Sequence, residues 1–151
     1  MKRALVVLIA AILADDASAK PPGWDGCRGA AAGGGALNAC MERVSAPCLA
    51  AREAEGDGAW LGCLSDAAAA WEDEVGLQTK ALQDQGHPAG DSASAARWLA
   101  MRSARCRPRD KVAQMMQEVG EAETAAAILR CEMINSIQRA DHLAGLEGRS
   151  Q

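Results

Sequence analysis

Six cysteines follow what reads as an export signal, and that combination restricts the fold more than any other feature of the chain. Lys2 and Arg3 give a positive start, Ala4 to Leu13 an apolar run, and Ala17-Ser18-Ala19 the small-x-small pattern that signal peptidase accepts. The run is about half as long as the roughly 20 residues a membrane-spanning helix needs. Residues 1-19 therefore predict a cleaved signal peptide with no stable membrane anchor left behind. Cys27 lies well past the run, which disfavours lipoprotein-type cleavage. A mature chain beginning near Lys20 keeps all six cysteines and is expected to be periplasmic or secreted. In an oxidising compartment an even cysteine count reads as a disulfide framework. A metal centre fits less well: no C-x-x-C occurs, and neither His87 nor His142 stands at zinc-ligand spacing from two cysteines.

The mature chain is short enough for one domain, placed at 27-146, with an extended leader at 20-26 carrying Pro21, Pro22 and Gly23 and a tail at 147-151. Leu37 to Glu53 predicts partial helix that Pro47 starts or interrupts, and Gly56-Asp57-Gly58 predicts a turn. From Leu61 to Gln85, Leu64, Ala68, Trp71, Val75, Gln78 and Leu82 repeat at the spacing of one helical stripe. Gly86-His87-Pro88 and Gly90 break that helix, and Asp91 or Ser92 caps the next one, which reaches about Cys106. A shorter helix covers Lys111 to about Glu118. The last begins at Glu121 or Thr124 after Gly120 and carries Ala127, Ile128, Cys131, Ile134, Ile137 and Leu143 towards Leu146. No sustained alternation of β-branched residues suggests a strand. The expected fold is all-α, a small disulfide-stapled bundle of four to five helices.

Phe and Tyr are absent, so the core must rest on alanine, leucine, isoleucine, methionine and four tryptophans. Burial returns about 25 cal/mol per Å² of apolar surface, and small side chains bring little area each. Bridges closing loops of about 15 residues add about 3 kcal/mol apiece, which gives such a chain a physical need for its cysteines.

The net charge of −4 argues against nucleic acid as a partner. Gly33-Gly34-Gly35 lacks the pattern of a phosphate loop. A nucleophile, base and orienting acid are hard to assemble from two histidines outside any recognised motif. The expectation is a non-enzyme without catalytic, cofactor-binding or metal-binding residues, although plentiful Asp and Glu leave a glycosidase-type carboxylate pair as the reading to test.

Two segments carry a family resemblance. Ala95 to Cys106, with Arg97-Trp98-Leu99 and Met101-Arg102, resembles the "Q-R-A-W-hydrophobic-x-F-R-D-x-x-C" helix of the lysozyme inhibitor LprI-like N-terminal domain family. Cys131 to Leu143 resembles its closing helix, with Arg139 eight and Leu143 twelve residues after the cysteine. More loosely, Cys63-Leu64 followed by Trp71-Glu72-Asp73-Glu74-Val75-Gly76 is similar to the family's "C-L…W-D-x-x-L-N" helix. Ala95, Met101 and Ser103 depart from the family's usual Gln, aromatic and Asp. The resemblance spans roughly Cys27 to Leu146 and implies a framework of Trp71, Trp98, Arg102, Arg139 and Leu143. It also implies pairing of Cys106 with Cys131, which close a 24-residue excursion between two helix ends.

For the remaining cysteines, Cys27–Cys40 with Cys48–Cys63 makes two short local loops, and Cys27–Cys63 with Cys40–Cys48 is the competing arrangement. On a continuous helix, Cys40 and Cys48 would stand about 12 Å apart along the axis, too far to bond. A break at Pro47 would remove that objection.

Trp71 reads as core. Trp98 and Arg102, at i and i+4, read as a core tryptophan under a stacked or carboxylate-paired arginine, with a partner hot spot as the sharper alternative. Trp60, following Gly58-Ala59, reads as a loop residue and has the best claim among the tryptophans to an exposed contact. Glu72-Asp73-Glu74 offers acid to a basic partner, although consecutive helical residues point in different directions and a solvated surface is the plainer reading. Arg102, Arg105, Arg107 and Arg109 suit a helix C-terminus.

The resemblance implies a protein partner, lysozyme or another cell-wall hydrolase, inhibited by occlusion. The alternative is an envelope structural or interaction module with some other protein partner and no inhibitory activity.

Overall fold

A single glycine turns the chain from one long helix into the next. In the computed structural model, which describes residues 20–148, Gly56 adopts φ 89°, a left-handed conformation that side chains resist. Its N–H bonds Arg52 O at 2.8 Å. It alone separates α1 (Gly34–Glu55) from α2 (Asp57–Asp84). Helix α2 thus starts four residues before the expected Leu61, and the anticipated turn shrinks to one residue. Asp57 lies in the new first turn, where a carboxylate favours the exposed N–H groups. Then follow α3 (Ser92–Cys106), α4 (Arg109–Glu118) and α5 (Glu121–Glu147), with short 3-10 turns at Trp24–Cys27, Ala30–Ala32 and Pro88–Gly90. The fold is all-α: five α-helices and no strand among the described residues.

The disulfides are Cys27–Cys40, Cys48–Cys63 and Cys106–Cys131, with Cα separations of 4.7, 5.3 and 5.5 Å. The first two resolve the choice that the sequence left open. Pro47 does not break α1: it is exposed, and Cys40, Val44 and Cys48 form one buried face on either side of it. Two bridges hold that face, so the missing proline N–H costs one helical bond without parting the helix. The continuous helix keeps Cys40 and Cys48 apart. Cys48 and Cys63 flank Gly56 at near-equal distance along the chain, and their bond folds α1 back along α2.

The core lies mainly between α2 and α5. From α2 it takes Trp60, Leu64, Ala67, Trp71, Val75 and Leu82, and from α5 Ala126, Met133, Ile137, Ala140 and Leu143. The predicted stripe on α5 is partly displaced: Ala127 is exposed, whereas Met133 and Ser136 are buried. Helix α4 buries no residue.

The leader is not extended. Pro21 is buried, the Trp24–Cys27 turn follows, and the rings of Trp24 and Trp71 lie 5.6 Å apart. Lys20 Nζ bonds Glu74 Oε1 at 2.9 Å. The predicted signal peptide, 1-19, lies outside the described residues. Within the predicted tail, Glu147 belongs to α5, and residues 149–151 lie outside the described part. No helix among the described residues is long and apolar enough to cross a membrane.

Gly90 shows how closely the α2–α3 connection packs. A Cβ there would fall onto the backbone of Leu82 and Gln83. Gly90→Ala should therefore cost about 1–3 kcal/mol, the range for forced overpacking. Urea unfolding checks this, and an unchanged midpoint would contradict the packing.

Candidate partner-binding face

The 3.6-residue period that sends Trp71, Val75 and Gln78 inward leaves Glu72, Asp73, Gly76, Leu77 and Lys80 outward on α2. Helix α3 lies alongside, with Trp98 half-buried and Leu99 43% exposed. Between them runs a groove of about 280 Å³ that Val75 and Arg139 also line. Leu77 is 44% exposed beside it. Acidic side chains thus stand next to apolar ones on one face.

Arg102 fixes this face to the bundle. Its guanidinium lies 4.9 Å over the Trp98 ring, and Nη1 donates to Glu72 Oε2 at 2.9 Å and to Ser136 Oγ at 3.3 Å. Stacking and carboxylate pairing occur together, and the contact gives the buried Ser136 hydroxyl a partner. Arg139 donates through Nη2 to Ser94 Oγ at 3.2 Å and to Ala89 O at 3.4 Å. It ties α5 to the start of α3 and to the turn before it. Burial pushes its guanidinium below the ordinary value. Leu143 is fully buried. Asp73 has no ion pair among the described residues and stays open to solvent.

Two residues expected at a partner surface are elsewhere. Trp60 is 1% exposed: because α2 starts early, it is helical, four residues before Leu64 on the same stripe. The guanidinium of Arg52 lies 3.8 Å over its ring. Hydrogen bonds from Arg52 to Glu123 and Asp57 hold that guanidinium above its ordinary value. Glu74 is also inside, accepting from Lys20 Nζ at 2.9 Å and Gln78 Nε2 at 2.7 Å. One hundred degrees of rotation per residue splits the acid run, with Glu72 and Asp73 outside and Glu74 within.

The arginine cluster brackets the third bridge. Arg105 Nη1 donates to Asn135 Oδ1 at 3.0 Å, and Arg107 Nε to Glu132 Oε1 at 2.7 Å. The latter hydrogen bond raises the Arg107 guanidinium above its ordinary value. These contacts tie the end of α3 to α5. Neither Leu77 nor Leu99 was expected at a partner surface. Both are large apolar side chains off the buried stripes, and that mismatch was a readable signal. Compared with known protein families, curated proteins and solved structures, the chain shows no significant match to any.

Proposed function

We propose that this chain is an exported binding protein, resembling the LprI-like lysozyme inhibitors, that occludes lysozyme or another cell-wall hydrolase through the α2–α3 face. The observation that carries the reading is the acidic rim of Glu72 and Asp73 beside exposed Leu77 and Leu99. A basic hydrolase is steered by the charge, and the leucines supply apolar area at the contact. Three disulfides support an oxidising, extracytoplasmic setting. Occlusion needs no catalytic group on the inhibitor. Trp98, Arg102 and Arg139 act on this reading as the supports that hold the rim in place.

The test is titration of the mature, oxidised protein into lysozyme while cell-wall lysis is followed. Dose-dependent inhibition is expected. Asp73→Lys combined with Leu99→Ser should weaken it about tenfold or more, since interface anchors cost upwards of 1 kcal/mol when removed. Neither residue belongs to the core, so the melting temperature should hold. Absence of inhibition at large excess over the enzyme would overturn the hydrolase reading and leave an envelope interaction module with another protein partner.

A further inference from the structure

On a different part of the molecule, a cavity of about 290 Å³ opens between the Trp24–Cys27 turn, α2 and α5. We infer that it is a second binding site, for a neutral pyranose ring. Trp24, Arg28, Trp71, Asp141 and Ala144 line it, and it shares no lining residue with the α2–α3 groove. The two readings stand or fall separately.

The walls are preorganised. The Cys27–Cys40 bridge anchors the turn that carries Trp24. Asp141 accepts from Gly29 N at 3.1 Å through Oδ1 and from Ala31 N at 2.9 Å through Oδ2. Both carboxylate oxygens are held in place, and each keeps a lone pair for a ligand. Trp71 is fully buried, and its Nε1 has no hydrogen-bond partner. Arg28 is exposed and has no ion pair among the described residues.

The lining selects the ligand by elimination. A cation meets Arg28, with Lys20 already over the Trp24 ring at 4.5 Å. An anion meets Asp141. A hydrocarbon would strip water from a carboxylate and a guanidinium and give nothing back. A pyranose has hydroxyls that donate to Asp141 and accept from Arg28, and a C–H face that packs against indole. The volume is at the small end of ligand sites, about 300–1,000 Å³, which suits one ring.

The test uses the mature, oxidised protein and N-acetyl-D-glucosamine, followed through the indole N–H signals of the four tryptophans. Saturable shifts of the Trp24 and Trp71 signals are expected, with an affinity of about 1–10 mM, while Trp60 and Trp98 stay in place. Arg28→Ala, an exposed change, should weaken binding several-fold without lowering the melting temperature, and Trp24→Ala should abolish the saturable shift at Trp71. Lack of any saturable shift, equal shifts at Trp60 and Trp98, or binding indifferent to both substitutions would overturn the assignment.

Discussion

Reduction and alkylation of the three bridges should unfold the protein at 37 °C, with loss of most of its helical circular dichroism. The loops span 13, 15 and 25 residues, and closing loops of this size is worth about 3 kcal/mol each. Together that is about 9 kcal/mol, against a total stability of about 5–15 kcal/mol for an ordinary domain. The core has little to offset such a loss. It contains no Phe or Tyr, α4 buries nothing, and α3 buries only Cys106. The bridges also act where apolar packing is sparse: Cys106–Cys131 joins α3 to α5, and Cys27–Cys40 holds the N-terminal turn. A reduced, alkylated protein that still melts cooperatively within a few degrees of the oxidised one would show that helix packing suffices.

Trp60→Ala should destabilise the protein by about 3–5 kcal/mol, the usual cost of truncating a buried tryptophan. The melting temperature should fall by roughly 10–20 °C for a domain of this size. The ring is 1% exposed, and its removal leaves Arg52 and Arg130, which lie 3.8 and 5.8 Å from its centroid, without the face they cover. Binding measured on the surviving folded fraction should be unaltered. That outcome separates Trp60 from Asp73 and Leu99, whose replacement should weaken binding with little change in melting. A Trp60→Ala protein that melts normally and loses its partner would return this tryptophan to the surface.

The helical class was legible because nothing in the sequence alternates at period two and because Leu64, Trp71, Val75, Gln78 and Leu82 repeat at helical spacing. The position of Trp60 was not. Three residues, Gly56-Asp57-Gly58, suit a turn, and only packing determines that Gly56 alone suffices and that α2 gains a turn at its start. Pro47 misled in the opposite direction, since the cost of a helical proline is a local quantity and the bridges that offset it are not. Glu74 shows the same limit: its Lys20 partner is 54 residues away, beyond any periodicity argument. The leader then folds down because a buried carboxylate needs a cation and Trp24 finds Trp71. On the candidate face, the exposed acids were legible by helical rotation. The place of Leu99 on a groove shared with α2 was not, because it depends on where α3 docks.

Helix α4 lies wholly inside the loop closed by Cys106 and Cys131 and contributes no buried side chain. Segments with few buried contacts open at low free energy, so this is where a protease would first gain entry. A single cut within α4 leaves both fragments covalently joined, with α1, α2 and α5 still packed. The nicked protein would migrate as one chain on a non-reducing gel and as two after reduction. The third bridge therefore makes the least stable part of the molecule expendable, so that proteolytic damage there need not become loss of the protein.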